Sequence, residues 1–152
     1  MAEADLASAL SRSINEATPH TRNVFGGPHA MSAAEVAGFL QESHVALIST
    51  VTSSGAPHIT ALYILALDGK LYIGTFPRAA LYRNLRRNPK VAIAVVELPW
   101  QRHVFVYGSV RFVPQEGEEI DRVRAAQRAR FGGERGAILA EVVPDKLFTW
   151  KM

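Results

Sequence analysis

Between residues 44 and 75 the chain runs through three strand-length apolar stretches with nothing longer than a turn between them. His44 to Val51 leads into Ser53-Ser54-Gly55, His58 to Leu67 leads into Asp68-Gly69, and Lys70 to Thr75 completes the series. Strands joined by such short turns have to run antiparallel, because a parallel return needs a crossover of a dozen or more residues. The alternating βαβ order of a parallel sheet is absent, which argues against a Rossmann-type dinucleotide fold.

The remaining pattern extends this core. A helix is predicted over residues 78–87, Pro89 breaks it, and Val91 to Val96 is a continuous apolar strand. Val104 to Val113 alternates as a strand, with Phe105, Tyr107 and Ser109 on one side, and a polar helix over about 115–130 keeps only Ile120 and Val123 as apolar contacts. Gly132-Gly133 ends that helix, a helical turn is expected over Ala137 to Val142, and a last strand over Leu147 to Trp150 after Pro144. Upstream, Ser32 and Glu35 have capping-box spacing and Val36, Phe39 and Leu40 follow at helical spacing. The expected class is mainly β (α+β): a six-stranded antiparallel barrel with short flanking helices, formed by residues 31–152. Residues 1–30, with Leu6, Leu10 and Ile14 followed by a polar, Pro- and Gly-containing run, read as an N-terminal arm or linker.

Composition narrows the chemistry. With 152 residues and no cysteine, the chain fits one domain, and disulfide frameworks, thiolate metal sites and thiol catalysis are excluded. Glu3 and Asp5 stand where a secretory leader would be basic, and the longest apolar runs are too short to span a bilayer, so no membrane association is expected and a cytoplasmic location is inferred. The five histidines lack the spacing of a metal site, and no G-x-S-x-G elbow or P-loop is present.

The charge is concentrated. Five of the seventeen Lys and Arg residues fall between Arg78 and Lys90, within and just after the stretch T-F-P-R-A-A-L-Y-R-N-L-R-R-N-P of residues 75–89. A helix start with arginines attracts an anion, because unpaired backbone N–H groups, the helix dipole and guanidinium forks all favour negative charge. A phosphorylated small molecule fits this local charge. Nucleic acid fits less well, because the basic surface is not interleaved with aromatic residues.

The order and spacing of five stretches resemble the pyridoxamine 5′-phosphate oxidase-like split β-barrels, which bind flavin or deazaflavin. These are A-L-I-S-T-V-T-S-S-G-A-P-H-I-T (46–60), D-G-K-L-Y-I-G-T (68–75), R-N-L-R-R-N-P-K-V (83–91), V-F-V-Y-G-S-V (104–110) and V-V-P-D-K-L-F-T-W (142–150). The resemblance implies a homodimer acting on a small-molecule substrate, with FMN, or alternatively the deazaflavin coenzyme F-420, held at sites between the subunits. It also implies an oxidoreductase in which the cofactor carries the hydride and no catalytic side chain can be named.

On the matching positions the resemblance gives Arg78 and Thr75 to the cofactor phosphate, with Arg83 on the same helix. It gives Thr60 and the backbone through Ala61 and Leu62 to the ribityl chain or ring edge, and Trp100 and His103 to the ring of the partner's cofactor. One departure stands out: the family's phosphate-binding lysine corresponds to Leu81, and a preceding polar position to Ala79 or Ala80. That departure motivates the alternative of a non-enzymatic protein binding a flavin, a tetrapyrrole or another anionic ligand.

Overall fold

The computed structural model describes residues 3–42, 45–99 and 101–152, so His44 and Trp100 lie outside the described residues. Seven strands form one antiparallel sheet in the order β2-β1-β5-β6-β7-β4-β3. They are β1 (Val45–Val51), β2 (Pro57–Tyr63), β3 (Leu65–Leu67), β4 (Lys70–Thr75), β5 (Lys90–Glu97), β6 (Arg102–Phe112) and β7 (Ile138–Lys151). Five α-helices flank it: α1 (Glu3–Asn15), α2 (Pro19–Phe25), α3 (Ala33–Gln41), α4 (Ala80–Arg87) and α5 (Glu118–Phe131).

The seventh strand arises because the stretch expected as one strand over 58–67 changes partner midway. β2 pairs with β1 at one end of the sheet, and β3 pairs with β4 at the other. Ile64, almost fully buried, is the corner between them. A chain that joins the two ends of one sheet curls that sheet around its own core, which is why the molecule is a split barrel and not an open sheet.

The expected helical turn over Ala137 to Val142 is instead the first half of β7, which runs on as a fourteen-residue strand to Lys151. Pairing on both sides overrides local propensity here: residues 138–142 pair with β4, and β6 accompanies the strand along most of its length. Pro144 does not stop it. That residue lies beyond the last one paired with β4, at a register shift opposite Gly108, where its missing N–H is tolerated. A Cβ on Gly108 would run into the Val143 carbonyl, so the bulge requires glycine on β6.

Alternation sorts the two faces. Ala46, Ile48, Ile93, Val95, Val104, Val106, Val142 and Leu147 point into the core, joined by Val36, Phe39 and Leu40 of α3 and by Leu81 and Leu85 of α4. A second cluster of Leu65, Tyr72, Val113, Ile120, Val123 and Leu139 seats α5. The N-terminal segment is helical and reaches the same core: Leu6 belongs to the main cluster, and Ser13 Oγ accepts from the Leu147 N–H at 2.9 Å while donating to the Ala9 carbonyl at 2.7 Å. No helix among the described residues is long and apolar enough to cross a membrane.

Candidate functional site

β4 ends at Thr75, the chain turns through Phe76, Pro77 and Arg78, and α4 begins at Ala80. The helix was expected from residue 78, so Arg78 precedes the first helical turn instead of belonging to it. Ala79 occupies the N-cap position with no side-chain hydrogen bond, and no acidic residue stands in the first turn, so the chain itself does not neutralise this helix end. Arg78 is exposed, and among the described residues no carboxylate forms an ion pair with its side chain. Arg83 folds back so that its Nη1 donates to the Arg78 carbonyl at 2.7 Å, which places a second guanidinium at the turn.

The other arginines of α4 serve its surface. Arg86 Nη1 donates to the Tyr82 hydroxyl at 2.9 Å and lies over the same ring. The buried face locks the helix in place: Asn84 Nδ2 donates to Thr50 Oγ1 of β1 at 3.1 Å, with both side chains buried. Leu81 is 4% exposed and belongs to the main core. The position where a phosphate-binding lysine was expected therefore faces inward in this chain.

Beside the turn lies a cleft of about 370 Å³, lined by Val45, Ala61, Leu62 and Tyr63 of β1 and β2, Gly74 and Phe76 of β4 and its exit, and Glu134, Arg135 and Gly136 of the loop before β7. Of the residues singled out in the sequence, Ala61 and Leu62 line this cleft. Thr60 is half-buried on β2, in register with Ile48, and Thr75 is buried at the end of β4 next to Gly74. Arg78 and Arg83 sit at the adjoining turn.

His103 does not join this group within one protomer. It lies on β6, three strands from β2 in the sheet order, or roughly 14 Å at ordinary strand spacing. Its ring stacks on Trp150 at 5.2 Å, and His29 also stacks on Trp150, at 5.0 Å. Burial pushes the His103 imidazole below its usual pKa, toward the neutral form. Trp100 lies outside the described residues.

Sequence reasoning missed Phe76, Arg135 and Gly136. The available signal is the glycine-rich loop of Gly132, Gly133 and Gly136 around Arg135, of which the sequence reading uses only Gly132-Gly133, as a helix terminator. Gly136 has φ +80° and is packed so closely on Gly74 and Thr75 that a Cβ on either Gly74 or Gly136 would strike the opposing backbone.

The outer face of the sheet is apolar and partly open. One row runs from Ala61 through Leu47, Ala94 and Phe105 to Phe148. Phe25 of α2 covers Phe105 and Phe148, whereas Val45, Leu47, Ile59 and Tyr63 at the β1–β2 end stay exposed, Ile59 by 64%.

Comparison with known proteins places this geometry. The chain is similar in structure to a conserved hypothetical protein from Mycobacterium tuberculosis, at 24% identity and TM-score 0.72 over 81% of this chain and 86% of that one. A protein described as an F-420 reductase matches at 21% identity and TM-score 0.60, over 72% and 93% of the two chains. HutZ, a heme storage protein from Vibrio cholerae, matches at 21% identity and TM-score 0.67, over 77% and 93%. At these identities the likeness is one of fold, and a search of curated proteins by sequence found no match. The family model for pyridoxamine 5′-phosphate oxidase matches residues 32–150, the span of the barrel with its turn, cleft and basic helix, and the chain belongs to that family.

Proposed function

We propose that the protein is a homodimeric oxidoreductase that binds FMN, or alternatively the deazaflavin coenzyme F-420, in the groove formed by the β4–α4 turn and the cleft beside it. The observation that carries this reading is the pairing of an uncapped helix start, carrying Arg78 and Arg83, with an apolar cleft of small-molecule size. Such a groove suits a ligand with a phosphate at one end and a flat ring at the other.

The residues present fit such a ligand without the family's lysine. Arg78 supplies a guanidinium not paired with any described carboxylate, the first N–H groups of α4 point out of the turn, and Arg83 braces the Arg78 carbonyl. Ala61 and Leu62 line the cleft from β2, and their backbone offers hydrogen bonds to a ring edge, whereas Thr60 shares the sheet face of its core-facing register partner Ile48. Val45, Tyr63 and Phe76 offer apolar surface to the ring's faces. When bound, the cofactor supplies hydride transfer, and the chain supplies binding and orientation.

The exposed apolar β1–β2 end supports the homodimer, because Val45, Leu47, Ile59 and Tyr63 together form an apolar patch of the kind that marks an interface. The family resemblance assigns a second subunit's His103 to the ring held in this groove; Trp100, given the same part by the resemblance, lies outside the described residues. The F-420 reductase among the structural neighbours supports the deazaflavin alternative.

Leu81 and the resemblance to HutZ support a second reading, a binding protein without turnover for a flavin or a tetrapyrrole such as heme. The neutral, stacked His103 is the side chain that would serve such a ligand. The visible spectrum and mass of any ligand copurifying with the protein separate these readings, followed by titration of the colourless protein with FMN, F-420 and hemin. Saturable binding of FMN or F-420, with hydride transfer to a quinone or enone, is the expected result. Binding of hemin alone would overturn the oxidoreductase reading.

A further inference from the structure

The N-terminal arm, residues 3–31, precedes the stretch that the family model matches. Beyond Val142, β7 pairs with β6 alone, and the arm takes up its other edge. Before α2, Arg12 Nη2 donates to the Asp145 carbonyl at 3.3 Å and Ser13 Oγ accepts from the Leu147 N–H at 2.9 Å. After it, His29 Nδ1 donates to the Lys151 carbonyl and the Met31 N–H donates to Thr149 Oγ1, both at 2.9 Å. Between these anchors α2 buries no residue of its own and meets the outer face of the sheet through Phe25, so the segment spans a gap.

The gap is a cleft of about 380 Å³ with aromatic walls. Tyr107 and Phe148 meet edge to face at 6.4 Å, and Phe25 stands 5.5 Å from Phe148. Tyr107 is still 46% exposed. The polar groups of the arm's wall that could close the cleft are engaged with each other, the hydroxyls of Thr18 and Thr21 lying 2.9 Å apart. What is left over is one charge of each sign. Glu16 enters from the arm, at the corner between α1 and α2, and Lys146 enters from β7, in register with Tyr107. Both are exposed, and among the described residues neither forms an ion pair, with the other or with a third group.

We propose that this cleft binds a free aromatic amino acid, its ring against Phe25, Tyr107 and Phe148, its ammonium toward Glu16 and its carboxylate toward Lys146. Three aromatic side chains favour a ring, by area and by edge-to-face contact. Two unpaired charges of opposite sign favour a ligand that carries both, because a singly charged ring leaves one of them without a partner and a neutral ring leaves both. The ring supplies most of the affinity and the charges supply the selection, since ion pairs at an exposed rim are weak. Anchoring of the arm on both sides of α2 forms the cleft before a ligand arrives, so binding orders little chain. The site shares no residue with the cofactor groove, and its test needs no cofactor.

Four probes built on one indole ring decide it by isothermal titration of the whole chain: tryptophan with both charges, tryptamine with the cation, indole-3-propionate with the anion and 3-methylindole with neither. The wild type should bind tryptophan about threefold or more tightly than either singly charged probe, the size of an exposed ion pair, and 3-methylindole most weakly. Lys146→Gln should bring tryptophan down to the level of tryptamine, and Glu16→Gln should bring it down to the level of indole-3-propionate. Raising the salt should shrink the preference and leave 3-methylindole unaffected. Phe25→Ala should weaken all four probes together, and Arg87→Gln on the exposed face of α4 should change nothing. No saturable binding of tryptophan, equal affinity for the four probes, or a tryptophan preference that survives either charge substitution would overturn the proposal. If Phe25→Ala fails to fold by circular dichroism, the two charge variants, both at exposed side chains, still decide the matter.

Discussion

Helices α3 and α4 are nearly equal in length and bury their apolar faces in the same core, but their first turns are built in opposite ways. At α3, Ser32 Oγ accepts from the Glu35 N–H at 3.2 Å, Glu35 Oε2 accepts from the Ser32 N–H at 2.7 Å, and Lys151 closes on Glu35 at 2.6 Å. At α4, Ala79 offers no cap and the nearby charges are arginines. One helix satisfies its own dipole; the other has neither a side-chain cap nor an acidic first turn. On the proposed reading this contrast marks the phosphate end of the site more sharply than the number of arginines does, because α5, which also lacks a side-chain cap, carries Glu118, Glu119 and Asp121 in its first turn and α4 carries no acid there.

The largest effect should come from restoring the family's lysine. Leu81→Lys would place an ammonium at a core position that is 4% exposed, so the variant should lose about 2–5 kcal/mol, the range for emptying a buried leucine site. Urea unfolding measures this. A variant as stable as the wild type with tighter FMN binding would show that position 81 can turn outward and that its burial here does not define the site.

Next in size, Arg78→Ala should weaken FMN by about tenfold or more, the equivalent of one charged hydrogen bond, while the urea midpoint stays in place because the side chain is exposed. An unchanged affinity would move the phosphate away from the α4 start.

The comparison also shows which parts of the molecule could be read from sequence. The cap of α3 was legible because Ser32 and Glu35 are three residues apart and the chemistry is local. The barrel class was legible because the turns at Gly55 and Asp68-Gly69 force antiparallel neighbours, and Asp68 and Gly69 do adopt positive φ. What depended on long-range pairing was not legible. Residues 138–142 became strand because β4 and β6 flank them, and the partner change at Ile64 follows from closure of the sheet. Leu81 could be named as a departure from sequence, but only packing shows that it belongs to the core. Arg135 was out of reach, because its place at the cleft depends on Gly74 and Tyr63, which are distant in the chain.

Exchanging the caps inverts the contrast, with a change of about 1 kcal/mol of opposite sign at the two helices. Ser32→Ala should destabilise the protein by that amount without touching FMN affinity. Ala79→Asp should stabilise it by a similar amount and weaken FMN, because the new carboxylate occupies the N–H groups and the positive end of the dipole that the phosphate would use. Stabilisation with unchanged FMN affinity would mean that the α4 start is not part of the phosphate site.

The smallest effect lies in the acid limb of the stability curve. The hydrogen bond from Lys151, then that from the Ser32 backbone, hold the Glu35 carboxyl at about 2, below its usual 4.5. A carboxylate whose folded pKa is depressed contributes stability that is complete above the unfolded value and is lost as pH falls through the folded one, because the unfolded chain takes up the proton first. Glu35→Gln should therefore lower the urea midpoint slightly at pH 7 and flatten its fall between about pH 4.5 and 2. The exposure of the pair keeps the effect small and makes it sensitive to salt. No equivalent limb should arise at α4, where no acidic side chain caps the helix, unless Ala79→Asp supplies one; a matching acid transition in that variant, absent from the wild type, would show that the two helix starts differ only in the group that closes them.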